Sequence, residues 1–284
     1  MIKCIATDMD GTLLNSLQQV TEENKEAILK AQSQGVEVVV ATGRSYSEAR
    51  YALDHVGLRC PVICLNGAEV RSIDGDVLSA TPIDTHMAKN VASKLDENEV
   101  YYEVYTNKGS FTSDAKKAVS IIIDIIVSAN PDVNQQAATV AAEERVSQGR
   151  IHIIDDYDTL FNDESLQVYK FLAFSFDSDR LEAAKNSLEG LTELTVSSSG
   201  HENLEITHQN AQKGNALEAF VKAKGIDLAE TMAIGDNLND VSMLERAGRS
   251  VAMGNASYYV KTLCDDITET NEESGVAKAI LDVL

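Results

Sequence analysis

Several short apolar runs in this chain each end in a polar residue with chemistry to offer. Residues 2–7 end at Asp8, residues 36–41 at Thr42, residues 61–65 at Asn66 and residues 231–234 at Gly235-Asp236. Runs this short, bounded by turn residues, predict buried strands. Amphipathic stretches separate the first three. Thr21 suits a helix start before residues 22–33 and Gly35 suits its stop, while Ser45 suits the cap of a second helix to about His55. Strands alternating with helices at this spacing predict an α/β fold built on a doubly wound, Rossmann-like parallel sheet. Ligands of such sheets gather at the carboxyl ends of the strands, where Asp8, Thr42, Asn66 and Asp236 fall.

The pattern changes after about Pro82. Residues 100–106 alternate tyrosine with other residues, and 109–112 suit a hairpin partner. A long helix is predicted from Asp114 to Ala129, closed by Asn130-Pro131, with its apolar run 121–127 in a core. Strands at 151–154, 169–176, 192–197 and 204–207 and a helix at 178–188 complete an irregular middle segment. Alternation resumes at Lys213-Gly214, which opens a helix, and continues through strand 250–253, Gly254-Asn255 and a last helix after Gly275. The expected organisation is a core of 1–83 and 205–284 interrupted by an inserted α+β domain, 84–204.

At 284 residues the chain has ample material for a core. Its net charge of −21 repels phosphate backbones, and no basic patch offsets it, so nucleic acid is not an expected partner. No apolar run approaches the ~20 residues of a bilayer span, so no membrane is expected either. Residues 1–4 lead straight into a strand without a signal-like leader, which predicts a cytoplasmic protein, monomeric or weakly self-associating. Cys4, Cys60, Cys64 and Cys264 show no metal spacing. Cys4 and Cys64, in apolar runs, are expected as buried free thiols.

Asp8, Asp10 and Asp236 concentrate negative charge at one sheet edge, and buried carboxylates need a cation, a donor or a proton. Mg²⁺ is the natural compensation, a hard cation taking about six oxygens from carboxylates, waters and substrate phosphate. Asn239 and Asp240 are placed to orient ligands or Lys213. The Thr42 hydroxyl and backbone N–H, Asn66 and Lys213 are donors suited to phosphate oxygens. A carboxylate nucleophile, a neighbouring acid/base, Mg²⁺ and a lysine make a phosphoryl-transfer set.

These motifs carry a resemblance. Asp8-Met9-Asp10-Gly11-Thr12-Leu13-Leu14, Ala41-Thr42-Gly43-Arg44, Lys213-Gly214 and Gly235-Asp236-Asn237-Leu238-Asn239-Asp240 resemble the four ordered motifs of the haloacid dehalogenase superfamily. Leu65-Asn66-Gly67-Ala68, Val251-Ala252-Met253-Gly254-Asn255-Ala256 and Gly275-Val276-Ala277 further resemble its Cof-like hydrolase branch. The resemblance implies a Rossmann-like core with a large cap between the second and third motifs, closing over a small phosphorylated metabolite such as a sugar phosphate or phosphorylated cofactor. It implies Asp8 as nucleophile, Asp10 as acid and base, and Lys213 as the charge on phosphate. Mg²⁺ would be held by Asp8, the Asp10 backbone carbonyl and Asp236, with Asn239 and Asp240 beside it. Thr42, Gly43, Arg44, Asn66, Lys213 and Asn239 would contact phosphate or substrate. Thr207-His208-Gln209-Asn210-Ala211-Gln212 before Lys213 departs from the branch's usual Gly-Val-Ser-like approach, which bears on loop shape and substrate fit.

Plainer readings of the same residues stand beside these. A calcium loop starting at Asp8 would need Gly and an acidic residue where Leu13 and Gln19 stand. No G-x-G-x-x-G loop points to a dinucleotide. Asp236–Asp240 alone would suit an Asx-rich turn, Arg44 either substrate or a core carboxylate, and Asn255 a turn. His152 reads as a satisfied, half-buried strand residue, and His201 with Glu202 as a solvated loop or a substrate contact. The leading function is a Mg²⁺-dependent phosphatase working through an aspartyl-phosphate. The alternatives are a phosphomutase with the same phospho-aspartate and a ligand-binding module of negligible turnover.

Overall fold

The computed structural model describes residues 1–129, 136, 139–140, 151–198 and 202–284. The helix stop expected at Asn130-Pro131, the substrate contact weighed for His201 and most side-chain packing of the 121–127 run lie outside the described residues.

The described chain divides into two compact units, Met1–Thr81 with Asn210–Leu284, and Pro82–Gln209. The first opens with β1 (Cys4–Asp8), buried along its whole length. Thr21 then caps the helix Glu22–Ser33 by accepting from the Asn24 amide, and Gly35 leaves it at φ +81°. β2 (Glu37–Ala41) lies parallel to β1, with Asp8 opposite Ala41. Ser45 and Glu48 form a reciprocal capping box at the start of the helix Tyr46–His55. β3 (Val62–Cys64) adds a further parallel strand. β4 (Glu69–Arg71) and β5 (Val77–Ala80) then extend the sheet antiparallel.

The chain next builds the second unit: β6 (Tyr101–Thr106), β7 (Gly109–Thr112), β8 (His152–Ile153), β9 (Val168–Phe174), β10 (Leu194–Ser197) and β11 (Asn203–His208). They form one sheet in the order β10-β11-β9-β6-β7-β8, antiparallel except for β7 with β8. Helices Thr85–Glu97 and Ser178–Leu188 bury Val91, Leu95, Leu181 and Leu188 with strand residues Tyr102, Val104, Phe171 and Ile206. Strand side chains alternate between faces. On the other face Glu103 accepts from the hydroxyls of Tyr101 (3.3 Å) and Tyr105 (3.1 Å), and Lys170 pairs with Glu205 at 3.3 Å.

The chain returns to the first unit through the helix Lys213–Ala223, and β12 (Thr231–Gly235), β13 (Arg249–Ala252) and β14 (Asp266–Ile267) finish its sheet. The order is β14-β13-β12-β1-β2-β3-β4-β5, so β1 lies between β12 and β2. Six of these strands, β14 to β3, run parallel, and their carboxyl ends share one edge. The last helix, Gly275–Leu281, packs on Glu22–Ser33, where buried Asn24 accepts from the Ala277 amide at 2.9 Å and donates to the Leu13 carbonyl at 3.2 Å.

The structure departs from the sequence reading in several places. The β4-β5 hairpin and the helices Thr85–Glu97 and Tyr157–Phe161 were not anticipated. Three residues of β5 are exposed, and two of the four buried positions of Thr85–Glu97 are alanines, so neither gives a strong apolar period. β11 pairs with β9 from Asn203 to Thr207, which moves the boundary expected at 205 to Asn210. His152 is exposed, not half-buried, with its ring 5.1 Å from that of Phe111. Among the described residues no helix is long and apolar enough to cross a membrane.

Candidate active site

The shared strand edge gathers the charged groups that the sequence scatters over more than 230 positions. Asp8 ends β1 and is 4% exposed. Lys213, in the first turn of its helix, is fully buried and donates to Asp8 Oδ1 at 2.5 Å and Asp240 Oδ1 at 2.7 Å. Asp240 Oδ2 accepts from the Asp236 and Asn237 amides, each at 3.0 Å. Both Asp240 oxygens are therefore engaged, and its part is to hold Lys213 and the turn after β12. The sequence reading had placed it beside the metal, orienting ligands or Lys213, and its carboxylate belongs to the acidic group that could hold an ion.

Asp236 follows β12 and accepts at Oδ1 from the Thr12 hydroxyl at 2.8 Å. Gly11 makes this approach possible. Its φ is +78°, and a Cβ there would stand 2.6 Å from Asp236 Oδ2. Asp8, Asp236 and Asp240 each bring one carboxylate oxygen within 4.8 Å of the others. Asp10 is not in that cluster. Its half-exposed carboxylate takes Arg44 Nε at Oδ2 (2.8 Å) and Arg44 Nη2 at Oδ1, and Nη2 also reaches Gln18 Oε1. Of the two roles weighed for Arg44, the structure shows the carboxylate pairing.

Thr42 is buried beyond the end of β2. Its backbone N–H donates to the Ile63 carbonyl at 2.8 Å, so the donor expected for phosphate is spent on the sheet and only the hydroxyl remains, itself accepting from the Arg44 amide. Leu65, Asn66 and Gly67 all have positive φ, at +50°, +58° and +103°. That turn brings Asn66 Oδ1 to Asn239 Nδ2 at 3.0 Å and leaves 3.2 Å between Asn66 Oδ1 and a Cβ built on Gly43. Gly67 lies so close to the backbone of Gln212 that a Cβ would meet its carbonyl oxygen at 2.4 Å. The close packing ties the β3 turn to the entry of the lysine helix.

Three carboxylates face one ammonium here, an excess of two negative charges when all are ionised. Burial, followed by the charge of Asp240, pushes the Asp8 carboxyl well above its ordinary range despite Lys213. Burial also lifts Asp236, to about 6, against the Thr12 hydrogen bond. Burial acts to lower Lys213, but Asp240 and Asp8 more than offset it and hold the ammonium charged. A hard divalent cation between Asp8 and Asp236 fits this donor set, because it neutralises the excess with oxygen ligands alone.

Sequence reasoning missed the groups that fix these loops. Thr12 reaches Asp236 across 224 positions, and Asn255 joins the Gly11 carbonyl (2.8 Å) to the Asn271 amide (3.0 Å). Asn271 in turn donates to the Leu14 carbonyl at 2.9 Å, and Ser242 accepts from the Gly214 amide at 3.0 Å. Asn255 is therefore a tie between loops rather than only a turn residue.

A Rossmann-like sheet with an aspartate-lysine cluster at its carboxyl edge and a second unit inserted in the chain defines a class of phosphate-ester hydrolases. The sequence pattern of that class, described as haloacid dehalogenase-like hydrolase, matches residues 5–280. The chain belongs to this family, in its Cof-like branch, and is a phosphatase of small phosphorylated substrates. It is 40% identical over 278 residues to the phosphatase YwpJ of Bacillus subtilis, covering 97% of this chain and 98% of that protein. It is 35% identical over 277 residues to the 5-amino-6-(5-phospho-D-ribitylamino)uracil phosphatase YwtE of the same organism, covering 97% and 96%. A haloacid dehalogenase-like hydrolase structure from B. subtilis superposes with a TM-score of 0.86 at 39% identity, over the full length of both chains.

Proposed function

We propose that the chain is a Mg²⁺-dependent phosphomonoesterase that works through an aspartyl-phosphate on Asp8. The observation that carries this reading is the buried ammonium of Lys213 held 2.5 Å from Asp8 Oδ1 and anchored by Asp240. A lysine fixed this way neutralises negative charge beside the nucleophile without reorganising when the reaction begins.

In the first half-reaction an Asp8 oxygen attacks phosphorus, the bond to the ester oxygen breaks, and the proton carried by Asp10 passes to the departing alkoxide. In the second a water oxygen attacks phosphorus, its proton passes to Asp10, and the bond to Asp8 breaks to release inorganic phosphate. Asp8, Asp236 and the Asp10 carbonyl would hold Mg²⁺, with Asn239 and Asp240 beside them. The bound ion supplies Lewis-acid stabilisation of phosphoryl oxygens. Lys213 and the Thr42 hydroxyl bind phosphate, with Asn66 and Gly43 shaping the loop around it. The inserted unit, 82–209, is the cap that selects the alcohol half. YwtE, named for a 5-phospho-D-ribitylamino-uracil, supports a small phosphorylated metabolite such as a sugar or polyol phosphate as the substrate class. Four unpaired thiols, three of them buried, fit a reducing cytoplasm.

Phosphate release from p-nitrophenyl phosphate, with Mg²⁺ and after chelation, tests this reading. Release should need the metal and be lost in Asp8→Asn. Undiminished activity in Asp8→Asn would overturn the role of Asp8, and a phosphorylated product without free phosphate would mark a mutase instead.

A further inference from the structure

Asp10 lies beside the buried carboxylate cluster but is itself about half exposed, at 48% of its side chain. A short carboxylate in water samples several rotamers, and a proton donor that wanders loses most of its advantage. Arg44 removes that freedom. Its Nε donates to Asp10 Oδ2 at 2.8 Å and its Nη2 to Oδ1, the two-point grip for which a planar guanidinium is suited and an ammonium is not.

The grip is itself held from behind. The Arg44 amide donates to Thr42 Oγ1 at 3.1 Å and its carbonyl accepts from the Leu65 amide at 2.9 Å, so its backbone is fixed to the ends of β2 and β3. At the far end of the side chain Nη2 also donates to Gln18 Oε1. Gln18 stands at φ +60° in a turn closed by Asn15, whose Oδ1 accepts from the Leu17 and Gln19 amides at 3.1 and 3.0 Å. The chain thus spends a left-handed residue and a closed turn on placing one carboxamide against one guanidinium.

We infer that Arg44, steadied by Gln18, is a positioning residue that aims Asp10 at the ester oxygen rather than a ligand of the phosphate. This inference rests on the phosphatase reading above. The two roles differ in what they predict. A lost phosphate ligand slows every ester alike, because every ester carries the same phosphoryl group. A misaimed proton donor slows only those whose alkoxide cannot leave unassisted. The contribution to stability is small in either case, because the pair is partly exposed and screened by solvent.

The test is the dependence of kcat/KM on leaving-group basicity along a series of substituted phenyl phosphates, with saturating Mg²⁺, for wild type, Arg44→Lys, Asp10→Asn and the double variant. We expect Arg44→Lys to lose about tenfold or more on unsubstituted phenyl phosphate and about threefold or less on the dinitrophenyl ester, as partial loss of general-acid catalysis worth roughly 10²–10⁴ would give. Asp10→Asn should show the same steepening, and the double variant should add little to it. Gln18→Ala should give a weaker version, and serves in place of Arg44→Lys if that variant does not fold. A loss equal across the series, or one that multiplies the effect of Asp10→Asn, overturns the positioning role and makes Arg44 a phosphate ligand. Wild type that releases no phosphate from any ester brings down the phosphatase reading and this inference together. A flat Arg44→Lys loss beside an active, Mg²⁺-dependent wild type brings down only the inference.

Discussion

At Gly11 the backbone turns through φ +78° and leaves no room for a β-carbon beside Asp236, whose Oδ2 would be 2.6 Å away. Gly11→Ala therefore imposes a left-handed conformation costing about 1–2 kcal/mol and also displaces a proposed metal ligand. Chemical denaturation should show the first effect, and a loss of Mg²⁺-dependent stabilisation the second. The pH dependence of that stabilisation follows from Asp236, whose carboxyl is lifted from 3.8 to about 6, chiefly by burial. A carboxyl raised on folding favours the metal-free native state below pH 3.8, and the benefit is lost as pH rises through about 6. Mg²⁺ competes with that proton. We expect Mg²⁺ to raise Tm clearly at pH 7.5 and little at pH 5, by thermal-shift measurement; an equal rise at both would count against Asp236 as a ligand. Asp8, Asp236 and Lys213 were legible in the sequence because charged residues beside strand ends or helix starts demand a reason. Thr12, Asn255 and Asn271 were not, because an uncharged side chain carries no sign of a partner more than ten residues away.

The helix Lys213–Ala223 begins without a side-chain cap at Gln212, and its first residue points a buried ammonium between two carboxylates. Lys213→Met retains the volume and removes the charge, leaving Asp8 and Asp240 facing each other. Breaking a buried pair in this way costs about 3–5 kcal/mol, which urea denaturation should show at pH 7. The cost should shrink at acid pH, where Asp8, its carboxyl raised by burial, takes up a proton. A stable Lys213→Met protein at pH 7 would mean that its neighbours were not ionised. Elements with strong endings, such as the capped helices Glu22–Ser33 and Tyr46–His55, could be read from Thr21, Ser45 and Gly35. The helix Thr85–Glu97 was overlooked despite its Asp84 cap, because alanines supply half of its buried stripe. Register and strand order are set by pairings between distant segments, as where β1 meets β12, and no local pattern records them.

The whole chain carries a net charge of −21, yet its proposed substrate is an anion. Distant charge of this sign slows encounter until salt screens it, and the Debye length falls from about 30 Å at 0.01 M to about 8 Å at 0.15 M ionic strength. With Mg²⁺ saturating, kcat/KM for a phosphate ester should therefore rise over that range, the opposite of a basic phosphate-binding surface. The discontinuous first unit and the continuous insertion were visible as a change of rhythm near Pro82 and its return near Lys213, because parallel and antiparallel sheets space their strands differently. The central claim is that phosphate passes through Asp8. Its most direct test is borohydride reduction of protein quenched during turnover with Mg²⁺ and substrate, followed by mass spectrometry of the peptide that spans residues 4–14. An acyl phosphate is reduced to the alcohol, so homoserine should appear at position 8, only when metal and substrate are both present. Steady phosphate release with Asp8 unmodified, or with the label at another residue, would contradict the account.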